Sequence, residues 1–384
     1  MNHFNSRKKN STVTMQVTCA IVFCLFSFCW LYWFQADVLA VAQHVLSGGV
    51  THYNRTVGVL LITFVLMVLQ QVVSAIVRLY HRCHAITYLP SMLLLAILSD
   101  FNPDMARGCV LGGWWIAAPL VLLLWGGGVW IARQSLPILS EKMYSNIFSR
   151  GTWLNLFQLV VMMLLVVTTA NSNAVFHYRA HAETALLAHD TDEALRVGWE
   201  SHETDVHLTM LRAYALSQQG LMGERLFEYP IAGTGNDLLP LPSSRSRLLL
   251  LSADTLFLHL GAKPRGKMTA SRYYDLLERD TLATRAVADY RLCGLLIDRR
   301  IDDFAAQLPK YYTVNDSLPR HYREALILYT HQRSHPTLIY HHAVMDEDWD
   351  DFHKLSSAYS DKRERKGKVY DRYATSYWYY YFYE

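Results

Sequence analysis

The sequence predicts an all-α protein in two parts: a polytopic transmembrane helix bundle over residues 1–170, then an α-solenoid-like helical domain of degenerate tetratricopeptide type over residues 171–384. Two observations predict it. Long apolar and aromatic runs are concentrated in the first part, while the second carries apolar residues at three- and four-residue spacing. In the second part the pairs Ala194–Leu195 and Arg225–Leu226 also recur at about 30 residues, near the period of stacked helix pairs.

A helix crosses the hydrocarbon core with about 20 predominantly apolar residues. Residues 15–34 meet that length behind the basic head Arg7, Lys8 and Lys9. The run is longer than the ~7–15-residue core of a signal peptide. It also ends in bulky Trp30, Tyr32, Trp33 and Phe34, so an uncleaved anchor is expected. Residues 57–77, 109–132 and 153–170 are the next clear spans. Residues 85–99 are short and carry Pro90, so they read either as a tilted span or as a re-entrant piece.

Lys and Arg accumulate in cytoplasmic loops, which separates a five-span from a four-span count. With five spans, Arg7, Lys8, Lys9, Arg78, Arg82, Arg133, Lys142 and Arg150 lie on one side, leaving Arg55 and Arg107 on the other. Five spans are therefore expected, in a bacterial inner membrane, with a cytoplasmic N-terminus and an extracytoplasmic tail. No ionisable group sits mid-span, which argues against a transporter. The amides Gln70, Gln71 and Gln158 suit helix–helix hydrogen bonds, and Gly126, Gly127 and Gly128 suit close helix packing. Cys19, Cys24 and Cys29 read as apolar packing within the first span.

In the second part, Asp192–Glu200 and Asp205–Gln218 read as a helix pair stopped by Gly220, with Gly223–Tyr229 starting another helix before Pro230. Residues 232–245, rich in Gly, Pro and Ser, read as a linker. Beyond it, Thr284–Ile297 and Ile301–Leu308 read as an antiparallel pair, continued by His321–Gln332 and Asp346–Ala358. Ala286, Tyr290, Cys293 and Leu296 stripe one face of the first. Cys293 is the one cysteine of the tail, so the tail can form no internal disulfide.

Leu318-Pro-Arg-His-Tyr-Arg-Glu-Ala-Leu-Ile-Leu-Tyr329 resembles a recurring segment of an uncharacterised family of bacterial polytopic membrane proteins. Gly223-Glu-Arg-Leu-Phe-Glu-Tyr-Pro230, Leu258-His-Leu-Gly261 and Tyr377-Trp-Tyr-Tyr-Tyr-Phe-Tyr383 resemble it too. The resemblance implies spans followed by tetratricopeptide-like helices, with no known function and no catalytic residue to carry over.

Candidate chemistry is sparse. His81, Cys83 and His84 lack the paired spacing of a zinc or haem site. His341, His342, Asp346, Glu347, Asp348, Asp350, Asp351 and His353 lack the calcium-loop pattern, and a solvated helix start accounts for the acids. Lys362, Arg363, Arg365, Lys366 and Lys368 read as a solvated connection or a contact for anionic headgroups. The aromatic run Tyr377–Tyr383 is expected to be a buried cap, with an interfacial anchor as the competing reading. There is no Gly-x-Ser-x-Gly, no His-Glu-x-x-His and no phosphate-cradling loop.

No catalytic residue, cofactor or metal site is thus assigned. The expectation is a non-enzymatic membrane protein whose tail binds or scaffolds an envelope protein, with the lipid bilayer as its other partner and no nucleic acid. The alternative is a glycan- or lipid-transfer enzyme using the external-loop carboxylates Asp37, Asp100 and Asp104.

Overall fold

The computed structural model describes residues 2–51, 53–79, 81–101, 112–135 and 150–384, whose regular elements are all helices, with no strand among them. They form two compact units that divide after Asn173.

In the first unit, α1 (Asn2–Cys29) runs into a π-helical turn, Trp30–Phe34, and is followed by α2 (Ala36–Ser47) and α3 (Arg55–Val77). A 3-10 stretch, His81–Tyr88, leads into α4 (Leu89–Ser99), and then come α5 (Trp114–Ser135) and α6 (Arg150–Thr169). Local chemistry sets the boundaries. Asn54 Oδ1 accepts the Val57 N–H at 3.0 Å to start α3, and Arg78 ends it in the left-handed region at φ 45°. Pro90 falls in the first turn of α4, where its missing N–H costs no helical bond.

Among the described residues, four helices are long and apolar enough to cross a membrane: Val13–Phe34, Arg55–Val77, Trp114–Gln134 and Arg150–Thr169. They cover the expected spans 15–34 and 57–77, the expected 153–170 up to Thr169, and the expected 109–132 from Trp114 onward. Cys109, Asp104, Arg107 and Lys142 lie outside the described residues. The sequence reading gave no helix to residues 36–47.

Hydrogen bonds fix the course of the short segment Ala85–Ser99. At one end Asn155 Oδ1 accepts the Ala85 N–H at 2.7 Å, and Asn155 Nδ2 donates to Met15 Sδ at 3.3 Å. At the other end Trp30 Nε1 donates to Ser99 Oγ at 2.8 Å, and the Asn171 N–H to the Ser99 carbonyl at 3.1 Å. Ala85–Ser99 therefore runs parallel to Met15–Trp30 and Asn155–Asn171, between the same two levels.

α3 returns antiparallel to it. Gln70 Nε2 donates to Thr87 Oγ1 at 3.1 Å, and Ser91 Oγ to the Leu66 carbonyl at 2.8 Å. α5 returns as well, from Trp114 Nε1 on Asp100 Oδ2 at 2.7 Å to Arg133 Nε on the Val77 carbonyl at 2.8 Å. A 3-10 helix rises about 2.0 Å per residue against about 1.5 Å in an α-helix. Cys83–Ser99 thus reaches about 28 Å, close to the ~30 Å hydrocarbon core, although its residue count alone falls short.

The expectation for Gly126–Gly128 is corrected. No atom outside their own helix lies within 4 Å of where their Cβ atoms would stand, so they close no helix contact among the described residues.

The second unit contains α7 (Ala174–Leu187), α8 (Thr191–Arg196), α9 (Val206–Gln219) and α10 (Met222–Arg225). It continues with α11 (Ala253–Leu260), α12 (Ala270–Arg279), α13 (Ala286–Ile297) and α14 (Ile301–Tyr311). The last four helices are α15 (Arg320–Gln332), α16 (Ala343–Ala358), α17 (Lys362–Tyr373) and α18 (Tyr377–Tyr383).

Side-chain caps start many of these helices. Asp190, Asp205, Asp361 and Ser376 each accept a first-turn N–H, at 2.9, 2.7, 3.0 and 3.2 Å. Gly220, at φ 70°, ends α9. α8 is shorter than expected because the chain turns at Gly198, φ 63°.

α13 is the centre of this unit. Of its expected stripe, Tyr290, Cys293 and Leu296 are fully buried and Ala286 only partly, and Val287, Leu292 and Ile297 on its other faces are buried as well. A helix covered all round is a core element and not half of a surface pair. α13, α14, α15 and α16 pack on one another in chain order. α9 and α10 also lie on α13, α10 touches α15, and α18 folds back onto α15.

The linker expected at 232–245 is corrected. Leu238, Leu239 and Leu241 are at most 1% exposed and belong to the same core as α13. A 3-10 turn, Gly235–Leu238, is held by a capping box between Thr234 and Asp237. Its Gly235 meets Gly294 backbone to backbone, and an added Cβ would stand 2.5 Å from the Gly294 carbonyl oxygen. Glycine is required here for close approach.

Candidate functional site

Two features of the second unit bring polar groups together. The first is a clasp around Glu324 on α15. Its carboxylate is 3% exposed as a residue and accepts Arg320 Nε at 2.8 Å, the Tyr377 N–H at 2.7 Å and a hydrogen bond with His321 Nδ1 at 3.0 Å. The Glu324 carbonyl accepts Trp378 Nε1 at 2.8 Å. Burial pushes this carboxyl up, but the bond from His321, the charges of His321 and Arg320 and the Tyr377 N–H outweigh it. They hold the group below the ordinary carboxylate value.

Two tyrosines of α18 extend the clasp to the C-terminal end of α13, where helix carbonyls lack helical partners. Tyr377 Oη donates to the Leu296 carbonyl at 3.1 Å and Tyr380 Oη to the Ile297 carbonyl at 2.8 Å. Phe227 packs edge-on against both Tyr377 and His321. The aromatic run is therefore a helix whose residues Tyr377–Tyr380 are buried with specific polar ties, while Phe382 is exposed.

The second feature is an open cleft of about 650 Å³ beside α13 and α14, with Glu278 of α12 on its wall. Glu278 accepts Lys310 Nζ at 2.5 Å and the Tyr311 hydroxyl. Arg285, Asn315 and Ser317 line it and are exposed. Behind it Asp289 accepts Tyr312 Oη at 2.6 Å and Tyr322 Oη at 2.8 Å, and Tyr322 Oη also lies 3.4 Å from Cys293 Sγ. Burial pushes the Asp289 carboxyl up, and the two phenols offset only part of that. The cleft offers cationic, amide and hydroxyl groups for binding. Among the described residues, no nucleophile–base pair lines it.

The residues singled out from sequence stay apart or serve local structure. Asp37 lies in the first turn of α2, Asp100 receives the Trp114 indole, and Asp104 falls outside the described residues. His84 is buried edge-on against Tyr88, and Cys83 is half-buried. Asp346 hydrogen-bonds His331 and His341 at 3.3 Å each and accepts the His342 N–H at 3.0 Å, as a helix-start acid does. Among the described residues, no group of three or more His, Cys, Asp or Glu is arranged to hold a metal ion. The basic run forms α17, where Arg365 and Lys366 are tied to the carbonyls of Tyr359 and Tyr383 at 2.8 and 3.0 Å.

Sequence reasoning missed two arrangements. Arg212 is 1% exposed and donates Nη2 to the Val197 and Gly198 carbonyls at 3.3 and 3.2 Å, with its guanidinium over the Tyr229 ring. Burial pushes its pKa down to about 10. Tyr229 meets Trp199 edge-on, and Arg225 lies over Trp199, so two touching rings are held between two cations. Nothing in the spacing of these four residues signals it.

The second missed arrangement joins Ser217 Oγ to His259 Nε2 at 2.9 Å, tying α9 to α11. Among the described residues no carboxylate is hydrogen-bonded to this histidine, and Ser217 lies in the last turn of a helix, the wrong end for anion stabilisation. The pair is structural.

Residues 265–384 match the family described as "Family of unknown function (DUF6057)". The match takes in α12 to α18, and with them the Glu278–Ser317 cleft and the Glu324 clasp. Of the four resembling segments, Leu318–Tyr329 and Tyr377–Tyr383 fall inside it, and Gly223–Pro230 and Leu258–Gly261 outside. No curated protein and no solved structure matches the chain.

Proposed function

We propose that the chain is a five-pass protein of a bacterial inner membrane whose helical second unit lies outside the cytoplasm and binds an envelope protein. What supports the odd number of passes is the pairing of Ala85 with Asn155 at one level and of Ser99 with Trp30 and Asn171 at the other. Arg78, Arg133 and Arg150 belong to the first level, with the basic head of α1, and Arg55 to the second, where its Nε donates to the Tyr32 carbonyl. That bias assigns the first level to the cytoplasm.

Binding, and not catalysis, is the role assigned to the tail. Its open cleft presents Arg285, Lys310, Asn315 and Ser317 on a core that is itself complete. The repeat-type reading is kept for α13 to α16, which stack in order as helical arrays do.

Paired reporter fusions after Ala170 test the topology. Activity of a reporter that works only outside the cytoplasm is expected, and activity of the cytoplasmic reporter alone would overturn the orientation. Affinity capture with an Arg285→Glu, Lys310→Glu variant tests the cleft. Loss of a partner held by the wild-type chain is expected, and its retention would remove the cleft from the reading.

A further inference from the structure

A lateral groove of about 440 Å³ opens between α1 and α3 over a floor formed by His84 and Tyr88. Its walls include Val17, Ile21 and Cys24 from α1 and Met67 from α3. From Gln16 to Cys24 it follows α1 for eight residues, about 12 Å. That is close to the ~15 Å depth of one leaflet's hydrocarbon. The groove lies at the end of the bundle marked by Met15, Ala85 and Asn155.

The chemistry changes along the groove. Ala20, Ile21, Cys24 and Met67 line its deep part, whereas Gln16, Gln71 and Ser74 line the part nearer the bundle end. Gln71 is exposed, and neither glutamine side chain has a hydrogen-bond partner among the described residues. An unpaired amide in hydrocarbon costs several kcal/mol, so the site favours a guest carrying acceptors at that depth and an apolar chain beneath.

We infer that this groove binds one acyl chain of a phospholipid from the leaflet at the Met15 end. The Gln16 and Gln71 amides and the Ser74 hydroxyl donate to its ester oxygens. The inference rests on the reading of α1 and α3 as membrane spans.

The full chain in nanodiscs of phosphatidylethanolamine and phosphatidylglycerol, doped with a phospholipid bearing a photoactivatable group on its acyl chain, tests it. Label is expected to concentrate on the peptides containing Val17, Ile21 and Met67. Ala20→Trp, which fills the groove, should cut it by about tenfold, whereas Leu123→Trp on the exposed face of α5 should leave it unchanged. The shape-conserving Gln16→Leu, Gln71→Leu variant should lose roughly fivefold of the phospholipid retained in native mass spectra. Uniform label on every span, unaltered by Ala20→Trp, would overturn the groove while leaving the spans intact. Release of the chain from membranes by alkaline carbonate would overturn the spans and the groove together.

Discussion

The carboxylate of Glu324 accepts the backbone N–H of Tyr377 at 2.7 Å, joining two positions 53 residues apart inside a core that excludes water. A single side chain thereby fixes where α18 enters the domain. Its His321 and Arg320 neighbours keep the carboxylate charged.

That arrangement gives the domain an acid limit. The Glu324 carboxyl titrates below its ordinary value of 4.5 when folded. The unfolded chain therefore binds the proton more readily, and stability falls as pH drops from 4.5 through the lower folded value. Above 4.5 the contribution is complete. Glu324→Gln should cost about 2 kcal/mol at neutral pH and flatten the dependence of Tm on pH below 4.5. An unchanged slope in melts between acid and neutral pH would remove Glu324 as its source.

Tyr377→Phe and Tyr380→Phe each delete one phenol that bonds a carbonyl at the end of α13. Each should cost about 1 kcal/mol while the ring packing survives. Removal of the whole aromatic helix should unfold the unit. An unaltered thermal melt after that deletion would mean that α18 is not part of the core.

Asp289 behaves in the opposite sense. Its folded carboxyl titrates above the ordinary value, so the folded state holds the proton more tightly and stability is lost as pH rises through the folded value. Asp289→Asn keeps an acceptor for Tyr312 and Tyr322 without a buried charge. A gain of about 1 kcal/mol at neutral pH, fading at acid pH, is expected in denaturant titrations. A loss at neutral pH would show that the ionised form is needed.

Gly235→Ala tests the corrected linker. A methyl group 2.5 Å from the Gly294 carbonyl forces the 3-10 turn off α13, at a cost of about 2 kcal/mol. Were residues 232–245 a free tether, the substitution would leave the chemical unfolding midpoint where it is.

Most helices were legible because their signals are local. Asp205 and Gly220 bracket α9, and the 3.6-residue pattern runs through α13 and α15. The segment 232–245 misleads because its Gly, Pro and Ser content matches a solvated tether. The contrary signal was the set Leu238, Leu239 and Leu241, whose burial depends on α13 some 50 residues later. The aromatic run was readable as a cap from its composition, but its polar anchor, Glu324, was not. A glutamate in a helix reads as surface until its long-range donors are known. The burial of Arg212 is hidden for the same reason. Asp37 and Asp100 were visible as residues, but nothing local told that Asp100 receives the Trp114 indole.

The 3-10 winding of His84–Tyr88 sets the length of the segment that leads into α4. Rewinding those five residues as α-helix would shorten it by about 0.5 Å per residue, or ~2.5 Å in all. A few ångströms is the range over which biological bilayers differ in thickness. The other long helices answer a thinner membrane by tilting. On the five-pass reading proposed above, this segment would answer by changing its pitch, and a few ångströms of bilayer thickness would be absorbed there.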